Sequence, residues 1–159
     1  MIYIGIDPGK NGAIAAKVGE EWKWHKWTDN HTHIADFIRE IKCDAQSTTD
    51  ILCAIERATA RPAFNPKTGK KVQGSKSLFS FGENYGIWQG MLAALDIPYI
   101  IVTPASWQKV CLDNGPAGTT KKRSLDMVSR LYGIHLKKSE DGVADAINLA
   151  RYAKQYKAI

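Results

Sequence analysis

IYIGIDPGKNGAIAAKV, residues 2–18, reads as strand, tight turn, strand. Ile2, Ile4 and Ile6 recur at period 2, DPGKNG supplies the turn residues, and AIAAKV is a second short apolar run. VGEE makes the next turn. WKWHKWT then alternates Trp22 and Trp24 with Lys23 and His25, so a third strand follows as a meander. Three antiparallel strands therefore open the fold. Further along, Ile34, Phe37, Ile38 and Ile41 at i, i+3, i+4, i+7 predict an amphipathic helix, with Asn30 or Thr32 able to cap it. ILCAIE (51–56) is a short apolar run that reads as a buried central strand ending at Glu56.

A long helix is predicted from Leu78, Phe81, Tyr85, Trp88, Leu92 and Leu95, spaced alternately by three and four. Gly82, Gly86 and Gly90 lie along it at four-residue steps. Such a stripe implies close approach of another backbone, either a second copy of the chain or the sheet itself. PYIIV makes a fifth strand, and Thr103-Pro104 opens a short helix with a hydroxyl cap followed by proline at the first helical position. After DNGPAG, TTKKRSLDMVSRLYG predicts a helix with Leu125, Val128, Leu131 and Tyr132 inward and Gly133 as its stop. Ser139 caps a last helix from about Glu140 to Tyr156. The order is βββ-α-β-α-β-(short α)-α-α, with no internal repeat, and residues 1–159 read as one domain.

The chain has 159 residues, 44% of them hydrophobic, which suffices for one domain with a proper core. No apolar stretch approaches the roughly 20 residues of a membrane-spanning helix, and the start is strand-like rather than leader-like. Cys43, Cys53 and Cys111 are far apart and odd in number, without a C-x-x-C or a neighbouring His. They suggest neither a disulfide framework nor zinc, but reduced core thiols in a cytoplasmic protein. The net charge of +6 has a single address. Residues 57–76 carry Arg57, Arg61, Lys67, Lys70, Lys71 and Lys76 and no acid, leaving the rest balanced at 16 bases to 16 acids. Pro62, Pro66, Gly69 and Gly74 forbid a continuous helix there, so the segment is a long basic loop suited to a polyanion.

Carboxylates at the ends of buried strands are the least comfortable residues in the chain. Asp7 follows IYIGI and Glu56 follows ILCAI, while Asp141, Asp145 and Asn148 share one face of the last helix. Like charges at i, i+4 repel, so something cationic must offset the helical pair. If the two strands are neighbours and the last helix crosses their ends, Asp7, Glu56, Asp141 and Asp145 converge. Four carboxylates without His or Cys form a hard, all-oxygen donor set suited to Mg²⁺ or Mn²⁺, with room for two ions that activate water in phosphodiester cleavage.

GIDPGKNGAIA (5–15), AIE (54–56), FGENYGIWQGML (81–92), TPASWQK (103–109), TKKRSLD (120–126) and DGVADAINLARY (141–152) together resemble the RuvC-type Holliday-junction resolvases of the ribonuclease-H-like nucleases, in particular their small phage-borne members. The resemblance implies an α/β fold with a five-stranded mixed sheet, its first three strands antiparallel, and helices on both faces. It implies metal ligation by Asp7, Glu56 and Asp145. The family's fourth acid stands three residues before the last, where this chain has Gly142; Asp141, four before, is the candidate in its place. Lys109, and Lys121 or Lys122, match lysines near the scissile phosphate, with Arg123 beside them. At a helix start, Lys122 could join free backbone N–H groups in holding a phosphate. The loop after the second acid matches a segment that reaches the junction centre with an aromatic wedge, and Phe64 is its sole aromatic here.

The implied activity is metal-dependent cutting of four-way DNA junctions by a homodimer, in paired symmetric nicks that leave 5′-phosphate and 3′-hydroxyl ends, with no nucleotide cofactor and no membrane partner. A broader branched-DNA or flap nuclease of the same fold shares all these features. A non-catalytic junction-binding architectural protein would lack an acid that this chain keeps. The actin-like and sugar-kinase ATPases also open with a strand, an Asp-Gly turn and a strand. They need two such domains, for which 159 residues leave no room.

Overall fold

The computed structural model describes residues 1–58, 74–112 and 118–157, without the side chains of Ser75, Lys76, Leu78 and Lys157. Arg61, Phe64, Lys67, Lys70 and Lys71, and the side chain of Lys76, therefore lie outside the described residues. Strands β1 (Ile2–Asp7), β2 (Ala13–Val18) and β3 (Glu21–Lys26) form the expected antiparallel meander. Helix α1 (His31–Cys43) leads to β4 (Ile51–Glu56), and α2 (Ser75–Ala94) to β5 (Tyr99–Val102). Helices α3 (Pro104–Leu112), α4 (Thr120–Tyr132) and α5 (Asp141–Lys157) complete the order. β4 pairs parallel to both β1 and β5, giving one sheet ordered β3-β2-β1-β4-β5.

Period 2 divides the core between the two faces. Ile2, Ile4 and Ile6 of β1, with Ile51, Cys53 and Ile55 of β4, pack under α1 and α2 against Ile34, Ile38, Ile41, Trp88 and Leu92. The alternate residues face α3, α4 and α5, where Ala54, Val102, Trp107, Cys111, Met127, Leu149 and Ala153 join. Asp7 and Glu56 share the parity of that second face. Helix α5 lies directly across β1, β2 and β4. A Cβ on Gly5 would stand 2.0 Å from the Ala146 carbonyl oxygen, so only glycine lets this helix settle on the central strand.

Several local expectations need correction. The Asn30 side chain does not cap α1; its Nδ2 lies 3.1 Å from His33 Nε2. Ser139 falls inside a 3-10 turn, Lys138–Glu140, that leads into α5, and the Glu140 carboxylate instead accepts from the Lys137 N–H at 2.9 Å. On α4, Leu125, Val128 and Tyr132 pack inward as expected and Ser124 and Met127 are buried with them, but Leu131 is exposed. Cys43 is exposed at the end of α1, whereas Cys53 and Cys111 are buried thiols. Gly82, Gly86 and Gly90 do not meet the sheet: a Cβ at any of them would enter open space. Gly133 does end α4, in the left-handed region at φ 67°. No described helix is long and apolar enough to cross a membrane.

Candidate active site

Two parallel strands and one helix bring the acids to one end of the sheet. Ile6 of β1 pairs with Ile55 of β4, so Asp7 and Glu56 follow side by side on neighbouring strands. The turn after β1 holds Asp7 by an Asx contact, the Gly9 N–H donating to its Oδ1 at 3.0 Å. Glu56 is held from above. Trp107 of α3, fully buried, donates its indole N–H to Glu56 Oε2 at 2.5 Å. Thr103 fixes the start of α3, accepting from the Ser106 N–H at 3.2 Å and placing the indole one turn on, over the end of β4.

Helix α5 supplies the other pair. Asp141 stands at its first turn and forms an ion pair with Lys121 of α4; the lysine is 76% exposed and the aspartate 13%. This is the cation that the i, i+4 repulsion required. Asp145 reaches further in, where its Oδ1 is buried without a hydrogen-bond partner. Three residues further along α5, Asn148 donates to the Ser124 hydroxyl of α4 at 2.9 Å.

The carboxylates oppose one another's ionisation. Burial, with smaller repulsion from Asp7, pushes Glu56 up to about 7, although the Trp107 hydrogen bond pulls the other way. Burial likewise lifts Asp145 to about 7, against the Ser124 contact and with help from Asp7, Glu56 and Asp141. Asp7 is raised by burial and by Asp141, offset in part by the Gly9 N–H and Lys121. Lys121 is itself raised by Asp141, so it stays charged. Clustered acids that each disfavour the others' charge are short of positive charge. The donor set is all oxygen and includes a buried, unpartnered carboxylate oxygen, which fits Mg²⁺ or Mn²⁺. Among the described residues, no three His, Cys, Asp or Glu side chains stand close enough to hold an ion as they are. Lys121 pairs with Asp141, and Trp107 holds one oxygen of Glu56.

The basic residues separate. Lys121 joins the acids. Lys122 is exposed one residue on, but its backbone N–H is already taken by Thr119 Oγ1 at 3.4 Å, contrary to the expected free phosphate-binding N–H. Arg57, exposed, follows Glu56 directly, with its N–H on the Val102 carbonyl at 2.7 Å. Lys109 is exposed about 200° around α3 from Trp107 and does not join the acids. Arg123 is half-buried and donates to the Leu112 carbonyl, while Arg151 donates to the Cys111 carbonyl at 3.1 Å. These guanidiniums satisfy the last carbonyls of α3. Arg123 thus ties α3 to α4.

No family model matches the sequence, and no curated protein matches it. Among solved structures, Thermus thermophilus RuvC in complex with a Holliday-junction substrate superposes with a TM-score of 0.62 at 15% identity, over 99% of this chain and 96% of that one. A second structure of Thermus thermophilus RuvC gives 0.59 at 14% identity, over 98% and 97%. The fold is the ribonuclease-H-like fold of RuvC. Within this RuvC fold, sequence reasoning missed the partners that orient the acids. Trp107 lay in a quoted motif, and a buried indole N–H must find an acceptor, so it could have been sought as a partner of Glu56. Ser124 carried a weaker signal, a lone hydroxyl on the inward face of α4.

Proposed function

We propose that the chain is a metal-dependent, structure-specific endodeoxyribonuclease that resolves four-way DNA junctions as a homodimer in the cytoplasm. The observation that carries this reading is the convergence of Asp7, Glu56 and Asp145, from two parallel strand ends and the crossing helix, on a RuvC fold. Asp7, Glu56 and Asp145 would hold the divalent ions, with Asp141 released to them as Lys121 turns to the substrate. When bound, Mg²⁺ or Mn²⁺ supplies the charge that activates water and stabilises the leaving oxygen.

The chain's own residues do the rest. The Gly9 N–H and the Trp107 indole fix the carboxylates of the two strands. Lys121, largely exposed, presents its ammonium at the mouth of the site to the scissile phosphate. Arg57 and the basic segment after it supply phosphate contacts, so affinity falls steeply with salt. The outer face of α2, with Phe79 72% exposed beside the open glycine stripe, supports pairing of two copies, whose two-fold symmetry matches a four-way junction.

The test incubates the protein with labelled fixed four-way junctions, flaps and linear duplex, in Mg²⁺ and in Mn²⁺. Paired nicks confined to the junction are expected, and Asp7→Asn should bind the junction without cutting it. Cleavage retained by Asp7→Asn would overturn the assigned site. Equal cutting of flaps would favour a broader branched-DNA nuclease, and binding without cutting by the unaltered chain a junction-binding architectural protein.

A further inference from the structure

Helix α4 opens on three consecutive cations, Lys121, Lys122 and Arg123, with no acid in its first turn. Positive charge is disfavoured at the N-terminal end of a helix, where the dipole is itself positive, so these side chains need oxygens from elsewhere. Arg123 finds the Leu112 carbonyl, and Lys121 finds Asp141 Oδ2. Asp141 lies in the first turn of α5, where negative charge is favoured. The pair therefore joins a well-placed anion to a badly placed cation, and the exposures agree: 13% for the aspartate, 76% for the lysine. The start of α5 is pinned without Lys121, since the Glu140 carboxylate receives Lys26 Nζ and the Lys137 N–H, both at 2.9 Å. Breaking the Lys121 pair thus moves a lysine side chain and leaves the helix in place. A divalent cation on Asp141 would stand beside the ammonium on the same carboxylate, and the two positive charges repel. A DNA phosphate at the mouth of the site attracts that ammonium and also suits the N-terminal end of α4.

We propose that Lys121 couples substrate to metal: paired with Asp141 it keeps a divalent cation off that acid, and a DNA phosphate that draws the ammonium away opens it. The proposal rests on the nuclease reading of the site and adds its regulation. Coupling between two binding equilibria is reciprocal, so a phosphate that strengthens cation binding is strengthened by the cation to the same degree. An ion pair with one exposed partner sets that coupling at about two- to fivefold.

Two double-mutant cycles on the whole chain test this without any cleavage assay. Mn²⁺ affinity is read from the EPR signal of free aqueous Mn²⁺, and junction affinity in EDTA from the fluorescence anisotropy of a labelled four-way junction. Lys121→Gln should tighten Mn²⁺ binding about two- to fivefold beyond any gain it brings in an Asp141→Asn background. Reciprocally, Asp141→Asn frees the lysine and should tighten junction binding by a similar factor beyond its gain in a Lys121→Gln background. Lys121→Ala should repeat both results, with circular dichroism following the fold of every variant. Lys122→Gln, which removes the neighbouring exposed charge, should show no coupling to Asp141 in either cycle. Equal gains in both backgrounds, in either cycle, would reflect loss of charge alone and overturn the coupling, as would the same coupling at Lys122. If the unaltered chain binds no Mn²⁺, or Asp7→Asn binds it fully, the metal-site reading itself falls, and if it binds no junction the nuclease reading falls. If Mn²⁺ binding is lost in Asp7→Asn but the gains are equal, only the coupling falls.

Discussion

Replacing Trp107 by Phe keeps an aromatic ring over the end of β4 but removes the indole N–H that donates to Glu56 at 2.5 Å. Glu56 already sits at about 7, raised by burial and held down by that hydrogen bond. A hydrogen bond to a charged group contributes about 1.5–3 kcal/mol, and each pKa unit corresponds to about 1.36 kcal/mol, so losing it lifts Glu56 by about one unit or more. At pH 7 the ionised fraction then falls from about one half to about one tenth. Because a cation competes with the proton for the same carboxylate, apparent affinity at pH 7 drops about fivefold. The deficit should close above about pH 9, where Glu56 is ionised in both proteins. Mn²⁺ isotherms for the two proteins at pH 6, 7, 8 and 9 check this. Packing loss alone, which must be smaller than the roughly 3–5 kcal/mol of a full Trp truncation, would lower stability without such a pH signature. A constant affinity ratio across the series, or no loss at pH 7, would refute the assigned role of the indole.

The raised carboxylates also fix a sign for stability. Glu56 and Asp145 titrate near 7 in the fold and near 4 when unfolded, so between these values the native state binds more protons and metal-free stability falls as pH rises. Asp7 is shifted in the same direction, so Asp7→Asn should raise the melting temperature more at pH 8 than at pH 5; an equal shift at both would contradict the linkage. Gly142→Ala places a Cβ 2.2 Å from the Asn11 carbonyl oxygen and 2.9 Å from Gly12 Cα. Overpacking of that kind costs about 1–3 kcal/mol, or about 2–4 °C of melting temperature per kcal/mol in a chain of this size, and an unchanged melting curve would show that the turn yields freely.

How much of this was legible in the sequence depended on whether the information was local. A carboxylate ending an apolar period-2 run is locally anomalous, which exposed Asp7 and Glu56, and the i, i+4 pair announced that Asp141 needed a counter-charge. The strand order could be written down for the same reason, since each strand carried its own alternation. The partners were hidden because they depend on which helix lands on which strand. Trp107 meets Glu56 only because α3 lies over the end of β4, and Ser124 meets Asn148 only because α4 packs on α5. The glycines of α2 show the same limit from the other side: their spacing marks a bare helical face but says nothing of which way it points.

Gly142 joins the two kinds of information. The resolvases that the sequence resembles carry an acid at this position, and Asp141, one residue earlier, is the candidate in its place. In the structure the turn after β1 runs so close to α5 that any side chain there would strike the Asn11 backbone. The same turn carries Gly9, whose N–H holds Asp7. Closeness that secures Asp7 thus leaves no room for a side chain at 142, whereas Asp141, one residue earlier, is reached by Lys121 of α4. An acid at 141 rather than 142 escapes that clash and stands where its carboxylate pairs with Lys121.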